Sequence, residues 1–225
     1  MSPSSSCVQI FGYGSLVNRN ARRNTSHVTA QRLLGWRRSW THCVETERGK
    51  VCALTIAPSR GAEVFGVFVP TPRTELAGLD LREQGYQRVP LAASDFLAHD
   101  MPGFSESTFV IDDGVFTYIS IPEAHRPGSW EFPIWRSYLE CVMAGFLELG
   151  GAAAVQEFIV STDGWGAPIL DDRAAPKYMR AVTLPAEIRS QMDALIRAAN
   201  LDSFQFSAAH DEMIAPGKPP PGEFG

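Results

Sequence analysis

Glu83 is the residue of this 225-residue chain whose position most directly suggests chemistry. It follows Leu76 and Leu79 by seven and four positions, so on a helix it continues their apolar face. A carboxylate on that face is partly withdrawn from water, which raises its pKa and suits it to take and return a proton. The same spacing also allows a plain role, as a helix-end cap or as a partner for Arg82 or Arg88. The second element is Phe11-Gly12-Tyr13-Gly14-Ser15-Leu16, which closes an apolar run starting at Val8. Its glycines permit backbone conformations in which successive N–H groups converge, and such donors hold an anion or polarise a carbonyl. No third glycine opens a helix, so this is not a dinucleotide fingerprint. Ser15 follows the second glycine instead of sitting between the two, so it is not a nucleophile elbow either. A donor loop plus one tuned carboxylate is what proton-shuffling acyl chemistry requires.

Other chemistry-bearing residues make weaker patterns. His27, His42, His99, His125 and His210 have no acidic or Cys partner at ligand spacing and read as structural. Asp163, Asp171 and Asp172 match no calcium loop, and Asp171-Asp172-Arg173 reads as a solvated turn with a local ion pair. Tyr86 and Tyr118 fall on strand-like runs and are candidates for a pocket wall or for core. Cys7, Cys43, Cys52 and Cys141 show no metal spacing, and three of them lie in apolar stretches, as buried thiols in a reducing cytoplasm would.

These residues need elements to position them. Short β-branched or aromatic runs predict strands at 8–13, 32–40, 50–57, 64–69, 86–91, 108–111 and 115–121, with a hairpin turn at Asp112-Asp113-Gly114. A short helix is predicted over Pro72–Glu83, with Pro in its first turn and Gly85 beyond its end. Ile134–Leu149 carries a wide apolar stripe at helical spacing and stops at Gly150-Gly151, before further helices over 152–160 and 185–201. Strands first and helices later predict an α+β domain: a mostly antiparallel curved sheet or small barrel with flanking helices.

Composition frames this as one ordinary globular unit, with 44% apolar and 20% charged residues. Residues 7–210 read as a single domain, 1–6 as a flexible start, and the Pro/Gly-rich 211–225 as a loose tail. A net charge of −5 argues against nucleic acid. No apolar run nears the ~20 residues of a membrane span and no signal peptide is legible, so a cytoplasmic protein is expected.

Together the motifs resemble the γ-glutamylcyclotransferase superfamily. Gly12-Tyr13-Gly14-Ser15-Leu16 is similar to its loop after the first strand, and Leu79-Asp80-Leu81-Arg82-Glu83 with Tyr86 and Arg88 to its acidic segment. Gly35-Trp36-Arg37-Arg38 and Ser137-Tyr138-Leu139 resemble two further landmarks. The resemblance implies cleavage of a γ-glutamyl amide by attack of the substrate's own α-amine, giving 5-oxoproline and a free amine. It implies Glu83 as general acid/base and Tyr13, Gly14, Ser15 and Leu16 as the substrate-binding loop, with no metal and no cofactor. Gly-Tyr-Gly-Ser-Leu leans toward the glutathione-specific (ChaC-like) branch, whereas Val17-Asn18-Arg19 departs from it, because that branch carries an aromatic residue there. Two other classes stand beside this one: a non-catalytic ligand-binding member of the fold, and a hydrolase with Ser15 as nucleophile, for which no histidine base is apparent.

Overall fold

The structure is a computed structural model and describes residues 7–22, 27–96, 114–199 and 201, with the backbone of 205–207. The predicted strand at 108–111, most of the predicted turn at 112–114 and both termini lie outside the described residues.

The first strand, β1 (Cys7–Gly12), runs through the middle of a six-stranded sheet. It pairs antiparallel with β3 (Gly49–Pro72) and parallel with β5 (Val115–Ser120). β3 forms a long hairpin with β2 (Thr29–Thr46), and β4 (Tyr86–Leu91) is antiparallel to β5. With β7 (Thr162–Asp163) added beside β2, the order is β4-β5-β1-β3-β2-β7. Among the described residues β4 and β7 are the two edges and do not pair, so the curved sheet is seen and closure into a barrel is not. The two strands predicted at 50–57 and 64–69 are one. A register shift between Leu34 and Trp36, opposite Pro58–Glu63, lets the ribbon pass Pro58 and Gly61 without breaking, and a second falls between Trp40 and His42.

The helices are close to expectation. A 3₁₀ turn at Arg73–Glu75 leads into α1 (Leu76–Arg82), which buries Leu76. α2 (Arg136–Val160) is interrupted at Gly150-Gly151, where the backbone leaves helical geometry, as the sequence suggested. α3 is Ala186–Ala198. α2 is long and apolar enough to match a membrane span, which corrects the reading that no such run exists; 56% of its most apolar window is buried inside the protein. A small second sheet joins β6 (Ile134–Trp135), β8 (Ile169–Asp171) and β9 (Gln205–Ser207).

The core lies between the six-stranded sheet and α2. Phe11, Trp40, Leu54 and Phe68 of the strands are fully buried, as are Leu139, Val142, Phe146 and Phe158 of the helix. Gly145 is required here: a Cβ would lie 2.5 Å from the Asn18 nitrogen, so only glycine lets α2 approach the loop after β1.

Candidate active site

The loop after β1 turns sharply into a 3₁₀ turn, Ser15–Val17, closed by Val17 N–H donating to the Gly14 carbonyl at 3.0 Å. The first N–H groups of such a turn, those of Ser15 and Leu16, have no acceptor within it. Three buried side chains fix this geometry. Asn18 donates to the Cys141 carbonyl at 2.8 Å and accepts from Asn20 N–H, tying the loop to α2. Arg38, fully buried, donates to the Tyr13 carbonyl at 2.8 Å and to Thr162 Oγ1 at 2.9 Å. Burial lowers its guanidinium to about 9, and it lies over the rings of Phe146 and Phe158. Tyr13 itself is buried, and its hydroxyl donates to the Tyr118 carbonyl at 2.6 Å. Its side chain therefore anchors the loop, while its backbone contributes to the site.

Glu83 caps the C-terminal end of α1, its N–H donating to the Leu79 carbonyl at 3.0 Å. Gly85 follows with φ +78°, and a Cβ there would meet Val44 Cγ1 at 2.8 Å. The turn that presents Glu83 thus depends on glycine for both conformation and space. The Glu83 carboxylate is one-fifth exposed and accepts from Arg82 Nε at 3.1 Å and from Arg82 Nη2 at 3.0 Å. The pairing with Arg82 that the spacing left open is therefore formed.

Glu83 and the Gly12–Leu16 loop line one small cavity of about 50 Å³, closed by Leu54, Tyr86, Tyr118 and Tyr138. Tyr86 donates to the Leu54 carbonyl at 2.7 Å and stacks on His42 with 3.6 Å between ring centroids. Tyr118 donates to Asp80 Oδ1 at 2.7 Å, and Arg88 holds the other oxygen of that carboxylate at 3.4 Å. Burial raises the phenols of Tyr13, Tyr86 and Tyr118, and the Glu83 charge adds to the effect in all three. They are neutral donors at any physiological pH, arranged around one carboxylate.

This cavity adjoins a larger cleft of about 420 Å³, with Ser15, Glu83, Tyr86 and Tyr138 common to both. The cleft floor is one face of the β2–β3 ribbon: His42, Val44, Val51 and Ala53. Its walls carry Arg48, Lys177 and Arg180, against Glu47. Tyr178 and Ser15 line the same cleft, and Arg180 Nη1 donates to the Tyr178 hydroxyl at 3.2 Å.

The strap carrying Lys177, Tyr178 and Arg180 hangs on Asp172, which the sequence suggested was solvated. Asp172 is instead 1% exposed and accepts from Ser137 N–H at 2.7 Å, Ser137 Oγ at 2.6 Å and Lys177 N–H at 2.8 Å. Arg173 likewise makes distant pairs, with Glu140 and Asp193, in a network completed by Arg136. Asp163 pairs with Arg37 at the surface. Sequence reasoning missed His42, Tyr178, Arg180 and Asp172 as parts of this region. His42, Tyr178 and Asp172 are tied in by contacts 78, 41 and 35 residues away, and Arg180 through its neighbour Tyr178, so no local pattern announces them.

No protein-family model matches this sequence, and no curated protein matches it either. Solved structures do. A γ-glutamyl cyclotransferase is 16% identical over 84% of this chain and 99% of its own length, with a TM-score of 0.51. An uncharacterized protein from Homo sapiens is 16% identical over 83% of this chain and 98% of its own, at 0.49. A glutathione-specific cyclotransferase from yeast is 14% identical over 87% and 96%, at 0.42. On the first of these likenesses, the chain has the γ-glutamyl cyclotransferase fold.

Proposed function

We propose that this protein cyclises a γ-glutamyl amide, releasing 5-oxoproline and a free amine. The observation that carries this reading is the joint lining of one small cavity by Glu83 and the Gly12–Leu16 loop. Glu83 exchanges its Arg82 partner for the substrate's α-ammonium and removes a proton. The freed amine attacks the γ-carbonyl, while the N–H groups of Ser15 and Leu16 steady the developing oxyanion. Glu83 then returns the proton to the leaving nitrogen as the C–N bond breaks, and carries the second ammonium proton from the ring nitrogen to the released amine. Because nucleophile and electrophile belong to one molecule, the site need only fold the substrate and move a proton. Neither water nor metal takes part. The leaving portion occupies the larger cleft, where Arg48, Lys177 and Arg180 favour a carboxylate-bearing amine, such as a peptide, over a neutral one.

The test is to incubate the purified protein, with EDTA present, with glutathione, γ-glutamyl dipeptides and γ-glutamyl alkylamines, assaying 5-oxoproline and glutamate. The reading expects 5-oxoproline, preferentially from the carboxylate-bearing substrates. Free glutamate as product, or loss of turnover with EDTA, would replace it with a hydrolase. The Arg82–Glu83 pair favours a second reading, a γ-glutamyl-ligand-binding protein in which Glu83 is structural; binding of these compounds without turnover would support it.

A further inference from the structure

Behind the cleft, on the opposite face of the β2–β3 ribbon, two cysteines sit side by side. Cys43 and Cys52 are direct cross-strand partners, in continuous register from His42↔Ala53 to Thr46↔Gly49. His42, Val44, Val51 and Ala53 face the cleft, so alternation puts both thiols on the other face, and both are buried. The Cys52 N–H does not point toward β2; it donates to the Pro133 carbonyl at 2.8 Å. The pair therefore occupies a non-hydrogen-bonded site of the antiparallel ladder, where side chains approach each other most closely. Such sites place Cα atoms about 4.5 Å apart, inside the range of about 4.4–6.8 Å that a disulfide spans. We propose that Cys43 and Cys52 form a reversible disulfide site, closed by hydroperoxides, that staples the β2–β3 ribbon behind the cleft.

The two sulfurs are not equivalent. The adjacent Cys52 thiol and the Arg126 charge make the Cys43 thiol more acidic, whereas Cys52 is pushed up by its neighbour and by burial. Cys43, which also lies directly against the exposed Arg126–Pro127 backbone, is the attacking sulfur. Its thiolate takes the terminal oxygen of the hydroperoxide, becoming a sulfenic acid as the O–O bond breaks and, after proton uptake, an alcohol or water leaves. The Cys52 sulfur then displaces the hydroxyl as water, and the S–S bond forms. In sum, two thiols and one hydroperoxide give a disulfide, water, and an alcohol or a second water. The segment covering the pair, Arg126 to Ser129, is mostly exposed, and Cys43 touches the carbonyls of Arg126 and Pro127 directly. A peroxide need displace only that segment. Cys141, far along the chain on α2, has no thiol across from it, and burial raises it to about 12.

The test is to treat the full-length Cys7→Ser protein with hydrogen peroxide, quench with an alkylating agent under denaturing conditions, and map peptides by mass. This substitution removes the exposed thiol that can join two molecules. The expected result is loss of two hydrogens, a single cross-linked peptide joining 43 to 52, and an unmodified Cys141. The oxidised protein unfolds at higher denaturant than the reduced one, and dithiothreitol reverses both changes. In Cys52→Ser, Cys43 should instead stop at a sulfenic acid trapped by dimedone. Oxidation of Cys141 ahead of the pair, over-oxidation of Cys43 with Cys52 intact in the Cys7→Ser protein, or an unchanged unfolding midpoint despite a formed bond would each overturn the proposal.

Discussion

Ser15 and His42 illustrate how differently two residues beside the same carboxylate can contribute. Ser15 lines the cleft beside Tyr178, and among the described residues no hydrogen bond joins its hydroxyl to a base. Replacing it by alanine removes one hydroxyl that could bind substrate but leaves the backbone donors in place. Ser15→Ala should lower kcat/KM by about ten-fold, the effect of one hydrogen bond of about 1.4 kcal/mol, and no acyl-enzyme should accumulate. A burst of amine release would contradict this. His42 is buried against Tyr86, with Nδ1 3.0 Å from Ser120 Oγ and Nε2 toward the Gln84–Gly85 backbone. Burial lowers its pKa to about 4, the Gln84 backbone opposing and His125 adding to the effect. Between about 4 and the ordinary value of 6.5 the unfolded chain binds more protons at this position. The unfolding free energy should therefore fall as pH is lowered through that window. Denaturant titrations from pH 7 to pH 4 check this: His42→Asn should flatten the slope, and an unchanged slope would remove His42 as its source.

At the level of elements, two connections decide where the site's side chains end up. One is the strap after β8, whose start is fixed by Asp172 at the N-terminal end of α2. Removing that carboxylate strands three buried donors, so Asp172→Ala should destabilise the protein by about 3 kcal/mol, read from the denaturant midpoint. Tyr178 and Arg180 should loosen with it, and activity should fall in molecules that remain folded. A shift under 1 kcal/mol would mean water replaces the carboxylate. The other connection is the β2–β3 turn, which carries Arg48 to the cleft mouth. An exposed ion pair contributes about 0–1 kcal/mol. Arg48→Ala should therefore raise KM for a carboxylate-bearing substrate by about five-fold at most, leave kcat unchanged, and blunt the dependence of KM on added salt. A fall in kcat instead would place Arg48 in the chemistry.

Across the whole molecule, what was legible in the sequence is what local rules govern. The Leu76/Leu79/Glu83 spacing and Gly85 located the α1 end and its carboxylate, and the apolar stripe with Gly150-Gly151 located α2 and its interruption. The single long β3 was not legible, because Pro58 and Gly61 are strand breakers that only the paired ribbon and its register shift accommodate. Sheet closure is equally non-local, since it depends on whether β4 and β7 meet. Asp172 looked solvated because its partner Ser137 lies on α2, which only the tertiary fold brings against the strap. The central claim, that Glu83 moves the proton between α-amine and leaving nitrogen, gathers all of this at one atom pair. The measurement that tests it most directly is 5-oxoproline release by Glu83→Gln, which keeps the shape of the side chain but cannot take a proton. It should lose about 10²–10⁴-fold in kcat with its unfolding midpoint and substrate binding nearly intact; turnover near that of the unaltered protein would contradict the account.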